Sequence, residues 1–280
     1  MAEMEIPPGL SRTIADELAW ATRSLEEVGI DTARLDAELL LAHALGTDRA
    51  GLVIRAGETI TSDARTRYLA LMGRRASHEP VAYITGKQAF RHLDLAVDPR
   101  VLIPRPETEL LVEVGLELPE GGRVVDVGTG SGAVALALKQ ERPDLELSGL
   151  DISVGALDLA RHNASRLRLE VRFAEADLLD DGDYSAVLAN LPYVRADEVL
   201  PPGVLHYEPG RALFGGADGL ELIRRLLDQV RVRPRITHVA LEIGAEQGPA
   251  TAELVAAAGF AHPEIRRDLA GHDRVVVGRR

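Results

Sequence analysis

The 280-residue chain is 46% hydrophobic with a mean hydropathy of -0.02, which predicts a folded protein with room for two domains. The absence of cysteine excludes disulfides, thiolate zinc sites and a cysteine nucleophile, and the formal net charge of -12 disfavours direct binding of nucleic acid through phosphate contacts. No apolar run approaches the length of a membrane span and no signal-peptide pattern starts the chain, so we expect a cytoplasmic protein with no membrane partner.

The first part of the chain, residues 1–79, is predicted to form a small helical domain. Apolar residues recur at helical spacing from Ile14 to Val28. A second helix is expected from Thr32 to Leu45 and should end at Gly46, and a third should begin at Thr61. These helices carry no catalytic constellation.

Residues 80–104 change to a strand-like pattern. Ala82-Tyr83-Ile84 and Leu93 to Val97 are the expected strands of a β-hairpin linker, with Gly86 available for the turn. Pro104 and Pro106 then form a stiff joint, because proline fixes φ and has no N–H to donate. The remaining residues, 105–280, are assigned to a second domain.

Strands and helices alternate from residue 121 onward, which is typical of a parallel sheet with helices on both faces. The expected strands are Arg123–Val127, Leu145–Leu150, Leu169–Phe173, Tyr184–Leu188, Ile236–Glu242, Pro263–Arg267 and Arg274–Gly278. The expected helices are Ala133–Gln140, Val154–Leu167, Gly219–Val232 and Pro249–Ala258. Seven strands with a closing pair at the C-terminus resemble the Rossmann-like α/β fold of class I methyltransferases.

A glycine-rich loop follows the first of these strands directly. Gly128, Gly130 and Gly132 let the backbone turn tightly and approach a ligand. About twenty residues later, Asp151 ends the next strand, where a carboxylate can accept both hydroxyls of a ribose. A tight turn with a helix-capping aspartate is the alternative, but strand, loop, helix and acid in this order favour nucleoside binding.

The nucleoside is predicted to be S-adenosylmethionine, with S-adenosylhomocysteine as product. The spacing Gly-x-Gly-x-Gly lacks the pattern that packs a pyrophosphate, although a nicotinamide-dependent oxidoreductase stays open. Asp126 before the loop suits a cationic methyl donor, and Thr129 and Ser131 belong to the same loop. Asp177 and Leu178, after the third strand, could contact the adenine amino group and ring, although Asp177 alone is as well explained as a helix cap.

A segment formed by Ala189, Asn190, Leu191, Pro192 and Tyr193 follows the predicted strand Tyr184–Leu188 without a break. Because Asn and Pro are poor strand formers, the strand ends there and places a carboxamide and an aromatic ring at the ligand-binding edge of the sheet. The Asn190 side-chain oxygen and the Leu191 carbonyl can each accept an N–H, and Tyr193 can stack on a planar group. An Asn-Pro turn with a half-buried tyrosine is the alternative, and the motif alone leaves adenine and amide nitrogens open.

The chain resembles the HemK-type protein-(glutamine-N5) methyltransferases of peptide chain release factors over nearly its whole length. The resemblance rests on residues 79–86, 102–109, 126–132, 190–193, 207–209, 212–214, 268–271 and 273–274, of which 102–109 is the most specific segment. It implies a helical N-terminal domain that grips the release factor and methylation of the Gln in its Gly-Gly-Gln loop. It also implies catalysis at Asn190, Pro192 and Tyr193, with Asn190 contacting both cofactor and substrate.

Leu191 departs from the Asn-Pro-Pro-Tyr that this family usually has. Asn-Leu-Pro-Tyr is similar to the dimethyladenosine rRNA methyltransferases, so an adenine-N6 methyltransferase acting on RNA or DNA is the alternative function. Leu191 has the same backbone carbonyl that a proline would have. Because it precedes Pro192, its backbone also favours the extended geometry that a proline at this position would adopt. Residues 102–109 and the net charge favour a protein substrate over nucleic acid. A further alternative is a family member that still binds its ligands but has lost catalytic activity, and the presence of Asn190 and Asp151 argues against it.

Phe90, Arg105 and Glu107 are further substrate-binding candidates, since the hairpin and the joint should fold over the edge of the sheet. Phe90 is equally well explained as a core residue of the hairpin, and Glu107 as an acidic residue favoured at a helix N-terminus. The eight histidines are scattered without metal-binding spacing, so no metal is expected.

Overall fold

The computed structural model describes residues 13–280, which divide into two units. The described part of unit 1 is residues 13–86 together with Pro201–Tyr207, and unit 2 is Lys87–Leu200 together with Glu208–Arg280. Within residues 13–280, none of the helices combines the length and the apolar character that a membrane crossing requires.

Unit 1 is built of helices. They are α1 (Ile14–Glu27), α2 (Ala33–Leu45), α3 (Arg49–Ile54), α4 (Ser62–Ala76), α5 (Val81–Thr85) and, in chain order, α9 (Pro202–Tyr207). Thr13 begins α1 with a capping box, and Gly46 ends α2 with a left-handed φ of 64°. The three predicted helices are confirmed. Sequence reasoning missed α3, because six residues are too few to show a helical period.

The predicted first strand of the hairpin is wrong. Ala82, Tyr83 and Ile84 belong to the helix α5, which Gly86 ends at a left-handed φ of 70°. All three side chains are buried, so the alternation of a half-buried strand is absent, and Ile84 packs in the apolar core of unit 1. The hairpin itself is present one segment later, in unit 2.

Unit 2 contains this hairpin and a seven-stranded sheet. The hairpin strands are β1 (Lys87–Phe90) and β2 (Leu93–Ala96), paired antiparallel. The sheet strands are β3 (Arg123–Val127), β4 (Glu146–Asp151), β5 (Arg172–Glu175), β6 (Ala186–Ala189), β7 (His238–Glu242), β8 (Glu264–Arg267) and β9 (Asp273–Arg279). Their order is β5-β4-β3-β6-β7-β9-β8, parallel except that β9 runs antiparallel to both neighbours.

Helices cover the sheet and enclose two apolar clusters. They are α6 (Glu109–Leu116), α7 (Ala133–Glu141), α8 (Val154–Leu167), α10 (Glu221–Arg231) and α11 (Gly248–Ala257), with short 3-10 helices at Pro106–Thr108 and Gly210–Ala212. One cluster contains side chains of α10 and α11 and the other side chains of α6, α7 and α8. The predicted class I methyltransferase architecture is confirmed.

The strand order reverses at β3, which lies between β4 and β6. Val127 at the end of β3 pairs with Leu150 on β4 and with Ala189 on β6. Asp151 and Asn190 are the next residues after these two partners. The reversal therefore brings the glycine loop, Asp151 and Asn190 to one edge, where open α/β sheets bind their ligands.

Candidate active site

The carboxyl edge of the sheet in unit 2 holds a cavity of about 220 Å³. The predicted cofactor residues that line it are Asp126, Gly128, Thr129, Gly130, Ser131, Asp151, Asp177 and Leu178, and the predicted substrate residues are Arg105, Asn190, Leu191 and Pro192. Within the part of the chain that the structure describes, four predicted residues do not line it: Phe90, Glu107, Gly132 and Tyr193. The fold thus brings most of the predicted site together.

The glycine loop closes over the end of β4. The N–H groups of Gly128 and Thr129 both donate to the Leu150 carbonyl, at 2.8 and 2.9 Å. Gly128 has a φ of 73°, and a Cβ there would lie 3.2 Å from Cδ2 of Leu191. A side chain at this position would be strained and would crowd the substrate motif, so the close approach of the two segments requires glycine.

Asp151 is held by two backbone donors at the end of β4. Its Oδ2 accepts from the Gly130 N–H at 3.0 Å and its Oδ1 from the Ser153 N–H at 2.8 Å. Partial burial raises the pKa of this carboxyl, while the backbone donors oppose the rise. Each oxygen has a second lone pair, so both can accept a hydroxyl of a ribose.

Asp126 lies one residue before the end of β3 and is 2% exposed. The Thr129 hydroxyl donates to its Oδ2 at 2.6 Å. Burial nevertheless raises the pKa of Asp126 to about 7. A bound cation would favour the ionised form, so the site suits a ligand that carries positive charge.

Asp177 and Leu178 also line the cavity. Leu178 is buried with a φ of 73°, which is unusual for a leucine. Asp177 accepts from the Arg225 guanidinium at 2.6 Å, and both side chains are about half exposed. The next helix in the chain, α9, begins at Pro202, so Asp177 does not cap a helix and the alternative explanation of this residue is wrong.

Asn190 is oriented by a residue that sequence reasoning did not select. Its Nδ2 donates to the Thr108 hydroxyl oxygen at 3.0 Å, across 82 positions of the chain. Thr108 is buried at the end of the 3-10 helix Pro106–Thr108 and also lines the cavity. Since the side-chain nitrogen is engaged, the Asn190 oxygen remains as the acceptor. The only sequence signal for Thr108 is its place in the segment 102–109.

Glu242, the last residue of β7, is a second functional candidate that sequence reasoning missed. It is 1% exposed, and among residues 13–280 its Oε2 has no hydrogen-bond partner. Burial raises the pKa of Glu242 to about 7, and burial followed by the charge of Glu242 raises the pKa of Tyr193 to about 12. An acid at the carboxyl end of a central strand was the signal that could have found it.

The remaining candidates lie around the proline joint and the hairpin. Arg105 pairs with the buried Glu208, which also accepts from the Ile103 N–H at 3.0 Å. Glu107 does not line the cavity, although its charge acts on Tyr193. Phe90 is 1% exposed and packs in the apolar cluster of the hairpin and α6, as the core explanation of this residue predicts.

Known proteins match the chain in both of its parts. A family model described as the PrmC N-terminal domain matches residues 16–86, and one described as a methyltransferase small domain matches residues 106–202. A release factor glutamine methyltransferase of Burkholderia pseudomallei is 45% identical over 261 residues, which cover 88% of this chain and 91% of that protein. One of Deinococcus radiodurans is 38% identical over 275 residues, 95% of this chain and 98% of that protein.

A solved structure is similar in fold alone. It is a methyltransferase from Pyrococcus furiosus with a TM-score of 0.53 and 16% identity, covering 78% of this chain and 98% of that one. Membership of a family is shown by the two sequence relatives, which are similar to this chain over most of its length. The chain belongs to the family of release factor glutamine methyltransferases.

Proposed function

We propose that the protein transfers a methyl group from S-adenosylmethionine to the side-chain amide nitrogen (N5) of the glutamine in the Gly-Gly-Gln motif of a peptide chain release factor. The observation that carries this proposal is the hydrogen bond from Asn190 Nδ2 to Thr108, which leaves the Asn190 oxygen to accept an N–H at the cavity. Family membership supports the same reaction and the same class of substrate.

The cavity residues suit the methyl donor. In this proposal Asp151 accepts the ribose hydroxyls, and Asp177 with Leu178 contacts the adenine amino group and ring. All three residues line the cavity, which supports these roles. The buried carboxyl of Asp126 suits the positive charge of the donor. When bound, S-adenosylmethionine supplies an electrophilic methyl group on a sulfonium, and since the sulfide is itself a good leaving group the transfer calls for no metal.

The substrate side has to position a weak nucleophile. An amide nitrogen is poorly nucleophilic because its lone pair is delocalised, so alignment with the methyl carbon contributes strongly to the rate. Asn190 Oδ1 and the Leu191 carbonyl accept the two N–H groups of the glutamine, and Pro192 lines the cavity beside them. Tyr193 does not line the cavity, and its stacking on the planar amide stays a prediction. The nitrogen–carbon bond forms as the carbon–sulfur bond breaks, and the methylated nitrogen then loses one proton to solvent.

Release-factor recognition is assigned to the helical N-terminal domain, expected over residues 1–79. The alternative, adenine-N6 methylation of RNA or DNA, is not favoured. Its main support is Leu191, whose side chain is 4% exposed and packs against the glycine loop. A leucine buried in this way contributes its backbone carbonyl to the site, which proline would supply equally well.

The test is to incubate the protein with methyl-labelled S-adenosylmethionine and a release factor, and to locate the label by mass spectrometry. We expect one methyl group on the glutamine of the Gly-Gly-Gln motif. A release factor with that glutamine replaced by alanine is the matched control and should stay unlabelled. Parallel reactions contain ribosomal RNA or DNA in place of the factor. Label on nucleic acid and none on protein would overturn the proposal.

A further inference from the structure

A buried carboxamide joins three elements of unit 2. Asn163 lies on α8 and is 0% exposed. Its Oδ1 accepts from the Ala96 N–H at 2.8 Å, and its Nδ2 donates to the carbonyls of Ala96 and Ser131, both at 3.0 Å. Ala96 ends the hairpin strand β2, and Ser131 belongs to the glycine loop. One side chain of α8 thus connects the hairpin to the loop that lines the cavity.

The proposed mechanism gives no role to Asn163 or to the hairpin. Of the residues that the structure describes, neither those of the hairpin strands nor Asn163 line the cavity. Ala96 directs both its N–H and its C=O at Asn163, on the edge of β2 that faces away from β1. The Asp94 carbonyl of the same strand accepts from Arg166, which also belongs to α8. Side chains of α8 therefore cover the free edge of the hairpin.

We propose that Asn163 is a positioning residue for the methyl donor: it fixes the orientation of the peptide between Ser131 and Gly132 in the glycine loop. This inference rests on the proposed function, because donor binding at that loop is part of it. Asn163 acts through the loop backbone, and the hairpin is the support that holds the Asn163 carboxamide in place.

The peptide between Ser131 and Gly132 needs a restraint because it contains a glycine. Gly132 has a φ of 82°, and a glycine can change φ at little steric cost. A turn of this peptide would exchange the directions of its C=O and its N–H. Its N–H donates to the Thr129 carbonyl at 2.8 Å, and its C=O accepts from Asn163 at 3.0 Å. The first bond lies within the loop, so the bond to Asn163 ties this peptide to an element outside the loop.

The orientation of this peptide matters for the donor site. Gly130 and Ser131 both line the cavity, and the Gly130 N–H donates to Asp151 at 3.0 Å. Ser131 is 2% exposed, so without Asn163 its carbonyl would lie buried without a donor, which is costly. The peptide would then turn, and the loop would have its binding geometry for part of the time. The apparent affinity for the donor falls in proportion to that fraction.

The alternative is that Asn163 stabilises the fold by attaching the hairpin and has no effect on the loop. A second attachment of the hairpin provides the control for this alternative. Arg91, in the hairpin turn, donates to Glu141 of α7 at 2.5 and 2.9 Å, and both side chains are largely buried. Glu141→Ala removes these two bonds and leaves the contacts of the glycine loop unchanged.

The first test measures binding of S-adenosylhomocysteine by calorimetry. Asn163→Asp keeps the acceptor for the Ala96 N–H and loses both donors, whereas Asn163→Leu keeps the volume and carries no charge. We expect both variants to bind at least about tenfold more weakly, as for a loop that is competent in about one molecule in ten. E141A should bind within about twofold of the wild type. Unchanged affinity in either Asn163 variant, or an equal loss in E141A, would overturn the proposal.

The second test separates positioning of the loop from damage to the reacting groups. Saturating S-adenosylmethionine stabilises the competent loop, so kcat of N163L should stay within about threefold of the wild type. KM for the donor should rise at least about tenfold in the same variant. A fall in kcat as large as the rise in KM contradicts a role limited to the loop.

A third measurement needs no turnover. The Gly132 N–H donates to Thr129 and the Gly128 N–H donates to Leu150, both at 2.8 Å, so hydrogen exchange followed by NMR should find both protected in the wild type. In N163L the exchange of Gly132 should become at least about tenfold faster and that of Gly128 should not change. A general loss of stability would accelerate both. Rapid exchange of Gly132 in the wild type contradicts the proposal even if neither Asn163 variant folds.

The binding and exchange measurements do not depend on a release factor. If they give the expected results while no release factor is methylated, the positioning role stands and the proposed function fails. If the release factor is methylated and the Asn163 variants bind S-adenosylhomocysteine as the wild type does, the positioning role fails alone.

Discussion

The two sides of the cavity are held in different ways. On the cofactor side, several polar contacts act together. Two of them join residues near in the chain, Thr129 with Asp126 three positions away and Ser153 with Asp151 two positions away. Two more join distant residues, Gly130 with Asp151 over 21 positions and Arg225 with Asp177 over 48. On the amide side, the Asn190 side chain has one such contact, with Thr108, 82 positions away.

This difference predicts how each side responds to change. The cofactor side presents several carboxylates and backbone groups, so one substitution there should weaken affinity and leave the chemistry intact. The amide side depends on one carboxamide in one orientation, so a substitution there should lower turnover and leave cofactor affinity intact. Four predictions test this comparison.

The largest effect is expected for Asn190→Ala. Loss of the side-chain acceptor should lower kcat at least about 10²-fold, because the glutamine nitrogen is no longer aligned with the methyl group. Calorimetry should show the affinity for S-adenosylhomocysteine within about threefold of the wild type, a change of less than one hydrogen bond. A variant with normal turnover would remove Asn190 from the mechanism, and one that no longer binds the product would place Asn190 on the cofactor side.

A smaller effect, of the opposite kind, is expected for Asp151→Ala. Removal of a charged acceptor of ribose hydroxyls should weaken S-adenosylhomocysteine binding about 10–100-fold. At saturating donor, kcat should stay close to that of the wild type. The matched control is Asp158→Ala, because Asp158 is an exposed aspartate of α8 paired with Arg161. Equal binding by the two variants would contradict the role given to Asp151.

A lesser effect is expected for Asp177→Ala, because the Asp177 carboxylate is about half exposed and already paired with Arg225. Binding of S-adenosylhomocysteine should weaken about threefold to tenfold. The wild type should prefer this ligand over S-inosylhomocysteine, which has no adenine amino group, and D177A should lose that preference. Arg225→Ala keeps the Asp177 carboxylate and should therefore keep the preference for S-adenosylhomocysteine. If D177A and R225A both lost this preference, the result would argue against a contact between Asp177 and adenine.

The smallest effect concerns stability. Burial raises the pKa of Glu242 from 4.5 to about 7, so the native protein binds more protons than the unfolded chain between these pH values. The stability from this group is therefore present at low pH and is lost as the pH rises through that window. Glu242→Gln should unfold roughly 3–6 °C above the wild type at pH 8 and close to it at pH 4.5.

The matched control for this prediction is Glu264→Gln on the same sheet. Glu264 is about half exposed, and its pairing with Arg266 and Arg279 lowers its pKa. A lowered pKa means that the ionised Glu264 stabilises the folded protein at pH 8, whereas the ionised Glu242 destabilises it. E264Q should therefore not raise the unfolding temperature at pH 8. A rise in E264Q equal to that in E242Q would show that loss of any glutamate on this sheet stabilises the protein.

The parts of the fold that the sequence predicted well are those with strong local patterns. The helix Val154–Leu167 has the predicted bounds, because a serine cap and a long apolar period define it. The strand predicted at Leu169–Phe173 is instead Arg172–Glu175. Arg168 and Leu169 still bond back into the end of α8, so pairing with β4 determines where the strand begins.

The hairpin shows why a short apolar run is ambiguous. Nothing local separates a strand from a helix over the few residues Ala82–Ile84, and the core of unit 1 selects the helix. Phe90 is a similar case. Its chemistry suited a substrate contact, and packing against α6 places it in the apolar core instead.

By itself the sequence determined the alternating α/β architecture, the glycine loop with Asp151, and the polar residues that end each strand, because these features depend on short-range backbone preferences. The tertiary structure alone decided the partner of Asn190. Hydrogen-bond direction depends on which groups meet in space, and Thr108 reaches Asn190 only because the fold places the proline joint beside the end of β6.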